Sequence, residues 1–247
     1  MARGKKNKKT NSELELLVSV ANFDTRDLDI LRVVYENVPL KDARNIDGSD
    51  YMPSAGTPLN DAVLKFGGLL HENYKRNPNV LHVGLLNDES GSMAGLQHDV
   101  IEGVNTFISE LRNDKETGGE PGVIMVVMTD GYENSSNEDP DGTKVREFVK
   151  AREADGWNFF YLGANQDAWS TGAQQFALGE NSTSYTFDHT SGGTGMAFAS
   201  MSNVVNTRKK VTSDAYAVAA TAASPEIQNY VDPKDKLWTP KTDESEE

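Results

Sequence analysis

The stretch "VLHVGLLNDESGSMAG", residues 80–95, decides how the rest of the chain is read. Its first seven residues form a short apolar run, the kind found in strands buried on both faces of a parallel sheet. The run ends on Asp88, Glu89, Ser90 and Ser92, two carboxylates and two hydroxyls within five residues, with Gly91 between the serines. A turn accounts for Asp, Ser or Gly taken singly. It does not account for D-x-S-x-S at the point where a buried strand stops.

Working outward, the same arrangement recurs downstream. "VIMVVMTDG", 123–131, is a second buried strand, ending on Thr129, Asp130 and Gly131. Between the two lies a helical face of Leu96, Val100, Ile101, Val104, Phe107, Ile108 and Leu111, spaced by three and four residues. Upstream, "ELELLVSVANF" (13–23) and "LDILRVVYENV" (28–38) read as a hairpin-like strand pair, and residues 39–57 read as loop. "TPLNDAVLKFGGLLHENY", 57–74, switches to the helical period, with Thr57 as N-cap, Pro58 in the first turn and Asp61 near the positive end. Gly67 and Gly68 inside it suggest close packing against a sheet. Downstream, "TKVREFVKAREADG" reads as helix, "WNFFYLGAN" as strand, "DAWSTGAQQFALG" as helix, "TSYTF" as strand and "TGMAFASMSNVVNTRKK" as helix. Strand alternating with helix predicts an α/β fold: a doubly wound, Rossmann-like, mostly parallel six-stranded sheet with helices on both faces. In chain numbering the expected strand order is 2-1-3-4-5-6, with strand 2 the antiparallel edge.

Composition narrows the function classes. The net charge is −14, which argues against a broad nucleic-acid surface. No apolar run approaches the ~20 residues of a membrane helix, and no secretory signal follows the basic start. Cysteine is absent and the four histidines are scattered, so thiolate or zinc-type sites are not expected. Residues 1–12 read as a disordered basic arm, 13–207 as the folded domain and 208–247 as an extension with an acidic tail, "TDESEE". "NSS" (134–136) and "NST" (181–183) match glycosylation acceptors but carry weight only in a secreted protein.

In open α/β sheets, ligands bind beyond the carboxyl ends of the strands. Asp88 and Asp130 both fall there. On neighbouring strands their like charges need a counter-charge. With Ser90 and Ser92 beside them the donors are all hard oxygens, so Mg²⁺ is the expected ion, with Mn²⁺ or Ca²⁺ as substitutes. The competing reading makes Asp88 and Ser90 a helix cap and Asp130-Gly131 a plain turn.

D-x-S-G-S-M at 88–93 and T-D-G at 129–131 resemble the von Willebrand factor A domain family and its metal-ion-dependent adhesion site. "GTPLNDA", 56–62, is similar to that family's threonine loop and adds Thr57; "YLGANQDA", 161–168, resembles a run in microbial members. The resemblance spans about residues 13–207. It implies a metal set of Asp88, Ser90, Ser92, Thr57 and Asp130. It departs from the family in order, because Thr57 precedes Asp88, as if the strand–helix unit 80–112 had moved downstream. The rewired joins, near 76–79 and 114–122, fall at the sheet edge opposite the metal loops, so such a permutation can leave the site intact.

The expected function is a metal-ion-dependent protein-binding module, not an enzyme. A coordination position left open on Mg²⁺ takes an aspartate or glutamate from a partner protein. Glu89 and Glu133 flank the site and Asp24 is a candidate for supporting it. The resemblance implies an adaptor, with a cytoplasmic place in a bacterial or phage-infected cell, or in a virion. One alternative is a structural or assembly component, for example of a bacteriophage virion, whose metal site is not essential. A weaker one is a Mg²⁺-dependent phosphatase, which would want D-x-D where Ser90 stands.

Overall fold

The computed structural model describes residues 14–114, 119–164, 176–179 and 182–210. The terminal arm and tail, the Ala-rich stretch at 214–223 and most of "DAWSTGAQQFALG" lie outside these. The described elements are strands β1 (Leu16–Phe23) and β2 (Leu31–Pro39), helix α1 (Leu59–Arg76), β3 (Leu81–Asp88), a 3-10 helix (Gly91–Leu96), α2 (Gln97–Asn113), β4 (Gly122–Thr129), α3 (Thr143–Ala154), β5 (Asn158–Ala164), β6 (Thr183–Phe187) and α4 (Ser191–Arg208). The strands form one sheet in the order β2-β1-β3-β4-β5-β6, the order expected from the sequence. Only the β1–β2 pairing is antiparallel. None of the described helices is long and apolar enough to cross a membrane.

The strand chemistry explains the order. Every residue of β1, β3, β4 and β5 is buried, and β4 is an unbroken run of apolar residues between Gly122 and Thr129, as an interior parallel strand requires. β2 is only partly buried and carries Arg32 and Glu36, which suits an edge. Successive side chains of β4 alternate between two apolar clusters. Ile124, Val126 and Met128 join Val104 and Phe107 of α2 and Phe198 and Val205 of α4. Val123, Met125 and Val127 join Val63 and Phe66 of α1 and Val145 and Val149 of α3.

The glycine expectation is corrected. A Cβ on Gly67 would sit 2.5 Å from Phe148 Cε1 on α3, so this glycine admits a neighbouring helix rather than the sheet, and Gly68 faces open space. The close approach of α1 to the sheet is made by Gly84 on β3, where a Cβ would fall 2.4 Å from Leu70 Cδ1 and 2.9 Å from Phe66 Cε1.

The stretch 39–57, read from sequence as plain loop, packs firmly beyond the end of β2 at Pro39. Ala43, Ile46 and Tyr51 enter the core. Asn22 donates to the Asp50 carbonyl and Gln97 to the Tyr51 carbonyl. The Tyr51 hydroxyl donates to the Asp88 carbonyl. Ser54 N–H donates to the Glu89 carbonyl, and Gly91 N–H to that of Ala55. This segment therefore lies against the loop that follows β3 and delivers Thr57 to it.

Candidate metal centre

Parallel register sets the site. Phe23 on β1 pairs with Asp88 on β3, and Asn87 pairs with Met128 on β4. The last residue of β3 therefore lies beside Thr129, and Asp130 follows by one. All three strands run the same way, so the loops after β3 and β4 leave from one rim.

Local geometry builds the rest from short sequence spacings. Ser90 N–H donates to Asp88 Oδ1 at 2.7 Å, a turn two residues long. The Thr129 hydroxyl donates to Asp88 Oδ2. The Ser90 and Ser92 hydroxyl oxygens are 3.1 Å apart, and the Ser92 hydroxyl donates to Asp130 Oδ1 at 2.6 Å. Four of the five expected residues are thus linked into one chain of hydrogen bonds. Thr57 reaches the same place from a third loop. A Cβ on Gly131 would lie 3.1 Å from Thr57 Oγ1 and 3.8 Å from Asp88 Oδ2. Any side chain at 131 would fill the gap between them.

Thr57 is not the cap of α1, contrary to the sequence reading. Pro58 takes that position and has no capping side chain. The exposed N–H groups of α1 are satisfied from the loop after β4: Glu133 accepts from Asn60 N–H at 2.7 Å, and Ser136 Oγ accepts from Asp61 N–H at 3.1 Å. Asp61 in turn accepts from the N–H groups of Asn137, Glu138 and Asp139. Asn134 clamps Thr57 in both directions, its side chain accepting from Thr57 N–H and its own N–H donating to the Thr57 carbonyl. The Thr57 hydroxyl is thereby left to face Gly131. No local pattern around 57–61 announces a cap supplied from more than seventy residues away.

The flanking acids are corrected as well. Glu89 is 1% exposed, pairs with Arg26 at 3.0 Å and with Arg32, and accepts from Met52 N–H. It is a buried anchor between loops, not a charge set to flank the rim. Glu133 is a helix cap. Asp24 binds Arg26 and accepts from the Ser54 hydroxyl at 3.2 Å, so it holds the loop that carries Thr57 and makes no bond to Asp88 or Asp130.

Asp88 carries the electrostatic tension. Its side chain is wholly buried, and burial pushes its carboxyl up from 3.8 to about 7. The hydrogen bonds from Thr129 and Ser90 oppose that shift, and the nearby charge of Asp130 adds to it. Among the described residues no lysine or arginine pairs with it. A divalent cation would supply the missing counter-charge, and the surrounding hydroxyl and carboxylate oxygens are the donors Mg²⁺ takes. Among the described residues no three His, Asp or Glu side chains converge on one point as a metal group. A set with two carboxylates relies on its hydroxyls and on water for the remaining positions.

Sequence reasoning missed His189, on the turn between β6 and α4. Its Nε2 lies 3.0 Å from Asp130 Oδ2, and a Cβ on Gly95 would meet its Cε1 at 3.9 Å. A lone histidine more than a hundred residues from Asp88 gives no local signal.

No protein-family model, curated protein or solved structure matches this chain.

Proposed function

We propose that the protein is a metal-ion-dependent protein-binding module built on a von Willebrand factor A-like, doubly wound sheet with helices on both faces and permuted connectivity. The observation that carries this reading is the buried Asp88 carboxylate, without a basic partner among the described residues, hydrogen-bonded into a cluster of hydroxyls at the carboxyl ends of two adjacent strands. Ser90, Ser92, Thr57 and Asp130 would hold Mg²⁺ directly, with Asp88 joining through water. The ion supplies a positive Lewis-acidic position that an outside carboxylate can occupy. Ser92 is exposed at the rim, and Tyr132, 61% exposed, stands next to Gly131. An aromatic ring beside a charged anchor is a common interface hot spot. The partner class is a protein presenting an aspartate or glutamate; an adaptor role in a bacterial or phage-infected cell, or in a virion, fits that chemistry. The rival reading, an assembly component with a dispensable site, draws on the same hydrogen bonds, which already tie the loops together without an ion.

The test is calorimetric titration of the full chain with Mg²⁺ and Mn²⁺, on the wild type and on Asp88→Ala. It is followed by binding to arrayed peptides, each carrying one glutamate or aspartate, with ion or with chelator. Binding that needs both the ion and the peptide carboxylate supports the module. A wild type that binds no ion better than Asp88→Ala ends it.

A further inference from the structure

His189 reaches the candidate site from the turn between β6 and α4 and stands against Asp130. The β5–β6 pairing places Phe187 beside Ala164, at the same end of the sheet as Asp88 and Asp130. Thr190 then starts α4, its hydroxyl accepting from Gly193 N–H at 3.1 Å. Asp188 and His189 span the short gap between that cap and the strand, and the His189 imidazole, three-quarters buried, lies over the 3-10 helix that bears Ser92.

Two distances at the rim have the spacing of neighbouring ligands on one ion, and the third, the 2.6 Å hydrogen bond from the Ser92 hydroxyl to Asp130 Oδ1, is a contact that an ion would replace. Two ligands about 2.1 Å from one ion and at right angles are about 3.0 Å apart. His189 Nε2 and Asp130 Oδ2 are separated by 3.0 Å, and the Ser90 and Ser92 hydroxyl oxygens by 3.1 Å. The geometry points to His189 as a direct ligand of the ion, alongside Asp130 and Ser92, and as the residue that makes the site prefer a borderline cation such as Mn²⁺ or Co²⁺ over Mg²⁺ or Ca²⁺. An imidazole nitrogen favours first-row transition metals, whereas Mg²⁺ and Ca²⁺ favour all-oxygen shells. This inference rests on the metal-centre reading above and corrects its ion. Among the described residues no three His, Asp or Glu side chains converge as a metal group, so Asp88 is assigned no direct bond to the ion and keeps the role of a neutralising charge.

The experiment uses the full chain at neutral pH, titrated calorimetrically with Mg²⁺, Mn²⁺ and Co²⁺ as wild type, His189→Ala and Asp130→Ala. Pulsed electron paramagnetic resonance of the Mn²⁺ form reads nitrogen coordination. The expected results are a preference for Mn²⁺ and Co²⁺ over Mg²⁺ in the wild type and a nitrogen coupling on Mn²⁺. In His189→Ala the coupling is absent and the preference falls about tenfold or more, while Mg²⁺ affinity stays within about threefold. If His189→Ala does not fold, the wild-type nitrogen coupling decides alone. A wild type that binds no ion overturns the metal centre itself. A wild type that binds ions and loses them with Asp130→Ala, but shows no nitrogen coupling, overturns only the role of His189.

Discussion

Replacing Asp88 with asparagine is expected to make the ion-free protein more stable while abolishing ion binding. The fold raises the Asp88 carboxyl from 3.8 to about 7, so folding favours its protonated form. The sign follows from linkage. Below about pH 4 the group is protonated in both states and costs nothing; between about pH 4 and 7 the unfolded chain ionises first and stability is lost; above that the loss is constant. A shift of about 3 units at 1.36 kcal/mol each is about 4 kcal/mol. An asparagine has the same shape without the charge. Its amide oxygen keeps the Ser90 N–H bond, and its amide nitrogen can donate to Thr129 Oγ1. The Thr129 hydroxyl then turns to the Gly131 carbonyl, 3.2 Å away. Urea unfolding of wild type and Asp88→Asn, in chelator at about pH 4.5, 6 and 8, should give a stability gap that starts at about 1 kcal/mol and grows to about 4 kcal/mol in favour of the variant. At the highest pH that corresponds to a melting difference of about 10 °C for a chain of this size. Saturating Mn²⁺ should shrink or reverse the gap, because only the wild type gains from the ion. A variant no more stable than wild type in chelator at the highest pH, or a gap indifferent to pH, would refute the claim that Asp88 is an uncompensated buried charge.

Thr57→Val removes one hydroxyl and keeps the shape, so ion affinity measured by calorimetry should drop about tenfold or more while the urea midpoint hardly moves. Glu133→Ala strips acceptors from the N–H groups of Asn60, Ser135 and Ser136 and should cost about 3 kcal/mol in urea unfolding; an effect under a tenth of that would mean solvent caps α1 equally well. Glu89→Ala leaves Arg26 and Arg32 facing an emptied buried position and should cost about 3 kcal/mol, at the lower end for breaking a buried pair because both arginines are partly exposed. Gly103→Ala gains about 1 kcal/mol of helix propensity but puts a methyl 2.0 Å from Phe198 Cδ2, and overpacking of up to about 3 kcal/mol wins, for a net loss near 2; a variant as stable as wild type would show that α2 and α4 separate easily.

Where packing repeats a local rule, the residues announce the structure. The unbroken apolar run of β4 and the largely apolar run of β3 read as interior parallel strands, and the more polar β2 reads as an edge. The strand order follows from those contrasts. D-x-S-x-S and T-D-G are visible because each is a short-range turn attached to such a run. The residue that the resemblance singles out, Thr57, faces Gly131 beside Asp88, but the cap inferred for it is wrong. Pro58 and a glutamate far along the chain take over that task.

Local pattern alone marks which of the described segments are strands and helices, and places oxygen donors at the ends of two buried strands, because those features repeat over a few residues. The packed fold alone makes Glu89 a sealed anchor, lets Glu133 cap α1 and sets His189 against Asp130. Their partners lie tens of residues away in the chain, and no periodicity encodes a distance closed solely by the lateral register of the sheet.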